Sequence, residues 1–162
     1  MRTMVCGLVA VAGLVLPGCP GGARPEGLQG ATVVSEGLAV RLELSTWELA
    51  EGREFQVTLI ARNTTRRPLA IGARSGSPYF VGVWRDTSVG WEQVRRYPET
   101  EIMIMNPWTL DPGQQRTFPC HLRVEPDWPR GERLRLTGEL NGRPDAVAEV
   151  MIYVPPEPEA AE

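Results

Sequence analysis

The sequence predicts an all-β chain folded as two packed antiparallel sheets. Three observations carry this. Apolar residues recur at every second position in segment after segment, as half-buried strands require. Turn signals separate those segments about every 8–12 residues. No stretch sustains a 3.6-residue period, and 17 Gly and 15 Pro among 162 residues favour turns over long helices.

The elements follow in order. Period two begins at about residue 33 and is plain in Leu38-Ala39-Val40-Arg41-Leu42-Glu43-Leu44-Ser45. Phe55, Val57, Leu59 and Ala61 repeat it, with Gln56, Thr58 and Arg62 opposite. Asn63-Thr64-Thr65-Arg66-Arg67-Pro68 is a polar turn. Its first three residues match an N-glycosylation acceptor pattern, but we read them as turn chemistry, with the Asn side chain bonding its own backbone. Leu69 to Ile71 makes a short apolar return.

Ser75-Gly76-Ser77-Pro78 signals a loop, and Tyr79 to Trp84 a strand. Gly82 inside that strand marks a bulge or a close backbone approach. After Val89-Gly90, Trp91 to Tyr97 reads as the partner in a hairpin. Residues 98–109 give no period: Ile102-Met103-Ile104-Met105 is apolar without alternation, and Pro107 limits a central strand. Asp111-Pro112-Gly113 is a turn, followed by a strand over 114–124. Residues 126–131 form another turn. Leu134, Leu136 and Leu140 alternate with Arg135, Thr137 and Glu139. Residues 141–145 read as a five-residue hairpin loop, and 146–154 close the domain.

This gives about seven or eight strands between Leu38 and Val154, about 117 residues, which suits one immunoglobulin-like sandwich of roughly 100 residues. A small barrel is the competing arrangement, because spacing does not distinguish closure from two packed sheets.

The N-terminus carries a different signal. Arg2 precedes an apolar run from Met4 to Leu16, too short for the roughly 20 residues of a spanning helix. A basic start, a short apolar centre and a small-residue end describe a secretory signal peptide over 1–18. Leu16-Pro17-Gly18-Cys19 resembles the bacterial lipobox, although Pro17 departs from its usual middle residue. The resemblance implies a diacylglycerol thioether on Cys19 and cleavage before it. Residues 19–37 then form a lipidated Cys and a flexible Gly/Pro tether, too poor in apolar surface to offset its ordering entropy. Pro20 stands where a retention Asp would stand. Residues 155–162 are an acidic, Pro-rich tail.

Composition removes several functions. A net charge of -3 argues against a nucleic-acid partner. All 17 basic residues are Arg, which excludes chemistry that needs a lysine ammonium. One His excludes a His-rich metal site, the acidic residues lack the companions a metal would need, and no cofactor is implied. Cys6 would leave with the signal peptide and Cys19 would be lipidated, so Cys120 has no partner for an intramolecular disulfide. Cys120-His121 resembles a nucleophile and its base only in one dimension. Neighbours on a strand point to opposite faces, so His121 cannot serve Cys120, which reads as a small buried hydrophobe.

Several segments together resemble the BsuPI-type intracellular proteinase inhibitor domain. They are Phe55-Gln56-Val57-Thr58-Leu59 with Asn63-Thr64-Thr65, Ser75-Gly76-Ser77-Pro78-Tyr79-Phe80, Gly90-Trp91, Leu110-Asp111-Pro112-Gly113-Gln114 before Phe118, Gly131, and Leu136-Thr137-Gly138-Glu139-Leu140. The resemblance covers about 38–154 and implies an immunoglobulin-like sandwich. It supplies no reactive loop, and the family name implies a cytoplasmic protein where this chain begins with an export signal. Proteinase inhibition, of an envelope or extracellular protease, is therefore the alternative. The leading expectation is a non-enzymatic, membrane-anchored lipoprotein that binds a protein partner outside the cytoplasm.

Aromatic and Arg residues concentrate where a binding face would sit. Phe80 and Trp84 share one face of their strand, opposite Tyr79, Val81 and Val83. With Trp91 and the neighbouring Arg85, Arg95 and Arg96 they suit a protein partner, since interface anchors are enriched in Trp, Tyr and Arg. The competing expectation is that this strand is covered on both faces.

Overall fold

The computed structural model of the chain describes residues 30–47, 49–72, 76–99 and 107–156. The segment 1–18 read as a signal peptide, Cys19, most of the stretch read as a tether, residues 102–105 and the end of the tail lie outside them. The described residues form ten strands: β1 (Val33–Ser35), β2 (Leu38–Leu44), β3 (Glu54–Asn63), β4 (Leu69–Ile71), β5 (Tyr79–Thr87), β6 (Gly90–Tyr97), β7 (Trp108–Leu110), β8 (Gln115–Arg123), β9 (Glu132–Leu140) and β10 (Arg143–Val154).

All pairs are antiparallel. One sheet runs β1-β2-β3-β8, the other β10-β9-β5-β6, and β4 and β7 form a two-stranded ribbon. In immunoglobulin lettering, β2-β3-β8 take the places of A-B-E, and β10-β9-β5-β6 those of G-F-C-C′. The two main sheets share no ladder, so the chain is a sandwich and not a closed barrel.

Alternation builds the core. Leu38, Val40, Leu42 and Leu44 of β2 face Leu134, Leu136 and Leu140 of β9 and Ala148, Val150 and Ile152 of β10 within one buried cluster. Val57 and Leu59 of β3 and Val81 and Val83 of β5 complete its centre. Gly138 sits where the sheets come closest: a Cβ there would lie 2.5 Å from Leu42 Cδ2 and 3.0 Å from Leu59 Cδ1. Trp128, in the loop after β8, is fully buried with its ring edge-on to Phe55 at 6.1 Å.

Asn63 ties the end of β3 to its surroundings. It is fully buried. Its Nδ2 donates to the carbonyls of Arg67 (2.8 Å) and Leu110 (2.9 Å). Its Oδ1 accepts from the backbone N–H and the hydroxyl of Thr65, both at 2.8 Å. The turn chemistry expected of Asn63-Thr64-Thr65 is present, and the amide nitrogen is spent on it.

Three expectations need correction. The described residues form ten strands, not about seven or eight. Part of the stretch read as tether is structured: β1 pairs with β2, and Gly30 N–H donates to Leu42 O at 2.9 Å. A three-residue strand is too short to display alternation. The same holds for β7, which lies within the stretch that gave no period. The third correction concerns 141–145. Asn141-Gly142 alone makes the turn, with Gly142 at φ 90°, and Arg143 already pairs with Leu140. Asn-Gly is the residue pair that two-residue hairpins favour. Residues 144–146 are taken up in a bulge between Arg143 and Val147, where Pro144 has no N–H to give the ladder.

Arg143 holds that bulge to β1. Nearly buried, it donates to both carboxylate oxygens of Asp145 (3.0 and 2.9 Å) and to the carbonyl of Ser35 (3.1 Å). Ser35 Oγ donates to the same carboxylate at 2.6 Å. These hydrogen bonds, first from Arg143 and then from Ser35, hold the Asp145 carboxyl well below the usual carboxylate range.

The edge strand β8 contains Pro119, placed opposite Thr58 of β3. Proline is tolerated there because one side of an edge strand has no ladder to serve.

Candidate functional site

The outer surface of sheet β10-β9-β5-β6 carries most of the expected binding residues. Pairing registers set them in cross-strand rows. One row is Val147, Glu139 and Phe80; the next is Glu149, Thr137, Gly82 and Arg96. Below these lie Met151, Arg135, Trp84 and Gln93, then Tyr153 beside Arg133 and, across the sheet, Asp86 beside Trp91.

Within the grid, guanidinium groups alternate with rings. The Arg96 guanidinium lies 3.7 Å over the Phe80 ring, which leaves Phe80 buried although it is outside the inter-sheet core. The Arg135 guanidinium sits between two indoles, 4.3 Å from the Trp91 centroid and 5.6 Å from that of Trp84. Such contacts contribute roughly 0.5–2 kcal/mol each, more as water is excluded. Glu139 lies 3.6 Å from Arg96 and Glu149 3.6 Å from Arg135, outside direct hydrogen-bond distance.

Gly82 makes room for this arrangement. A Cβ there would fall 2.6 Å from Trp84 Nε1 and 2.8 Å from Thr137 Oγ1. With no side chain in the way, Trp84 Nε1 donates to Thr137 Oγ1 at 2.8 Å. Together Phe80, Trp84, Gln93, Arg96, Arg135 and Glu149 border a depression of about 430 Å³. The lower part of the face is open. Among the described residues, the exposed large apolar side chains are Val34, Val89, Trp91, Met151 and Tyr153. Three of these, Trp91, Met151 and Tyr153, stand on this face.

Of the six residues expected from sequence, the structure brings together Phe80, Trp84, Trp91 and Arg96. Arg85 and Arg95 turn to the other side of the sheet. Arg85 pairs with Glu92 at 2.6 Å, and Arg95 with Asp127 at 2.5 Å. The cause is a bulge: opposite Val83 and Trp84, β6 carries the extra residue Val94. It reverses the alternation between Gln93 and Arg96, so Arg96 joins Trp91 on the outer face and Arg95 does not. Sequence reasoning missed Arg135, Met151 and Tyr153. Their signal was the alternation of β9 and β10 itself, since each lies between core positions.

Cys120 is half-buried, and His121 beside it is exposed on the opposite face of β8. Burial pushes the Cys120 thiol up, an effect partly offset by its contact with Tyr79. The Tyr79 hydroxyl, pushed up to about 12 by burial and then by Cys120, donates to the Pro119 carbonyl at 2.6 Å. A protonated thiol without a base is a packing residue. Among the described residues no group of three or more His, Cys, Asp or Glu side chains could hold a metal ion, and no helix is long and apolar enough to cross a membrane.

No family model and no curated protein matches the sequence. Solved structures do resemble the fold. The sporulation control protein Spo0M from Bacillus subtilis superposes with a TM-score of 0.51 at 12% identity, covering 76% of this chain and 51% of its own. The alkylpurine DNA glycosylase AlkC of Pseudomonas fluorescens, bound to DNA containing an abasic site analog, gives 0.46 at 12% identity over 74% of this chain and 31% of its own. A β-glucosidase from Listeria innocua gives 0.42 at 15% identity over 72% and 16%. The chain spans about half the length of Spo0M and less of the other two. At these identities the likeness concerns the fold alone, and fold does not fix function.

Proposed function

We propose that the chain is a non-enzymatic lipoprotein, exported and anchored to a bacterial membrane through a lipidated Cys19. Its sandwich binds a protein partner through the outer face of sheet β10-β9-β5-β6. The observation that carries the binding reading is the concentration on that face of Trp84, Trp91, Met151 and Tyr153 around Arg135. Large amphipathic side chains with an Arg among them are what binding hot spots are made of. The non-enzymatic reading draws on β8, where Cys120 and His121 point apart. The anchor draws on the lipobox-like Leu16-Pro17-Gly18-Cys19 and on the short apolar run before it.

The test is affinity capture from membranes with the Cys19-anchored chain, set beside the double variant Trp91→Ala, Arg135→Ala. A partner retained by the parent and lost from the variant supports the reading. Equal capture by both defeats the assignment of the face. Palmitate labelling of Cys19→Ser tests the anchor separately, and persistent label in that variant overturns it.

A further inference from the structure

We propose that the partner taken by the outer face of β10-β9-β5-β6 is a second copy of this chain, packed face to face across a two-fold axis that runs along the strands between β9 and β5. This rests on reading that face as a docking surface and names its occupant. Charge carries the assignment. At its paired positions, among the described residues, the face holds the cations Arg96, Arg133 and Arg135 and the acids Asp86, Glu139 and Glu149. A face of one sign calls for a partner of the other sign. A balanced face suits a copy of itself when some dyad sets unlike charges opposite, because a two-fold contact opposes the same patch on both copies.

The strand order supplies that dyad. An axis along the strands exchanges β10 with β6 of the second copy and β9 with its β5, and keeps every cross-strand row in register. Glu149 then meets Arg96 of the second copy. Glu139 meets Phe80, over whose ring the Arg96 guanidinium already lies at 3.7 Å, so both acids reach one cation. Arg133 meets Asp86, its neighbour one strand away, and four charges of alternating sign surround the axis. Arg135 meets Trp84, and Tyr153 meets Trp91. An axis at right angles to the strands would oppose Glu149 to Met151 and Arg96 to Gln93, and so matches fewer charges. Four strands about 4.8 Å apart and four rows about 6.8 Å apart cover roughly 500 Å² per copy. The pair then buries on the order of 1,000 Å², the lower limit of specific interfaces. The exposed Trp91, Met151 and Tyr153 lie inside that footprint.

The experiment follows the mass of the full chain in detergent by light scattering, from about 1 μM to about 1 mM, the range of weak association. A concentration-dependent dimer is expected. Arg133→Glu and Asp86→Arg, each alone, set like charges opposite and are expected to weaken the dimer at least about tenfold. Both residues are exposed, so the core is left intact, which circular dichroism checks. Mixing the two variants in equal amounts is expected to restore the dimer, because each copy then offers the charges that the other lacks. The double variant on one chain is expected to dimerise as the parent does. About 1 M salt, where the screening length is about 3 Å, is expected to weaken the parent dimer.

A chain that stays monomeric up to about 1 mM overturns the proposal. So does a dimer that ignores both single variants, since another surface or a shared micelle then holds it. Failure of the mixture to recover what the single variants lost overturns the dyad. The docking reading is judged apart from this, by capture with Trp91→Ala, Arg135→Ala. A different protein lost from that variant, with the parent chain monomeric, upholds the face and removes the second copy from it.

Discussion

The two outer faces of this sandwich are built by the same alternation and come out differently. The outer side of β1-β2-β3-β8 presents Arg41, Glu43, Gln56, Thr58, Thr117, His121 and Arg123, with one exposed large apolar side chain, Val34. The outer side of β10-β9-β5-β6 presents stacked guanidiniums and indoles with Met151 and Tyr153 open beside them. On the first face, Arg41 pairs with Glu43 at 2.8 Å in a solvated ion pair, an arrangement that contributes little. On the second, Arg96 covers Phe80. Outward-pointing positions need only tolerate water, yet this face spends five of them on large apolar groups, Phe80, Trp84, Trp91, Met151 and Tyr153. The contrast favours the second face as the proposed docking surface without reference to any relative.

The experiments that sharpen this contrast run from large effects to small. Gly138→Val strikes the core both faces share. Its methyls would enter the space of Leu42 and Leu59, so a loss of about 1–3 kcal/mol is expected. Urea unfolding measures it, with both faces losing support together. Next, Trp91→Ala with Arg135→Ala is expected to weaken a captured partner at least about tenfold, as loss of a hot spot does. Arg41→Ala with Arg123→Ala on the opposite face is expected to change affinity by less than about twofold. Equal losses from the two pairs would erase the distinction between the faces.

Smaller effects probe how each face is held. Trp84→Phe keeps a ring over Gly82 but removes the donor to Thr137, and about 0.5–1.5 kcal/mol of stability is expected to go with it. Asp145→Asn tests the latch between β1 and β10. Because the folded carboxyl sits below its unfolded range, its contribution is present above pH about 4 and lost as pH falls further. The acid limb of the stability curve is expected to flatten in the variant, and stability below that limb to match the parent. An unchanged acid limb would show that the carboxylate contributes nothing to the latch.

Much of the fold was legible because its long strands are half-buried and period two is unambiguous over seven or more residues, as in β2 and β10. Short strands left less trace: a period beginning at about residue 33 did not separate β1 from the tether, and β7 showed none. The site was legible in part. Phe80 and Trp84 could be placed on one face from spacing alone. Arg95 and Arg96 could not be sorted, because their facing depends on one unpaired residue, Val94, and alternation has no memory of a bulge it has not seen. Arg135 was hidden for another reason. Its value lies in the two indoles that flank it, and those belong to strands about 40 to 50 positions earlier in the chain; only the sheet order brings them together.

Pro119 has a consequence beyond its own strand. Strands β8 and β6 each border one of the two sheets, with β1 and β10 at the opposite borders, and an unguarded border invites another chain to zip onto it. At Pro119 one amide is missing from that border, and at Val94 the other border is kinked. Along β8 and β6 a second copy would find no continuous row of amides to template fibril growth. Contacts along these two borders are thereby left to side chains.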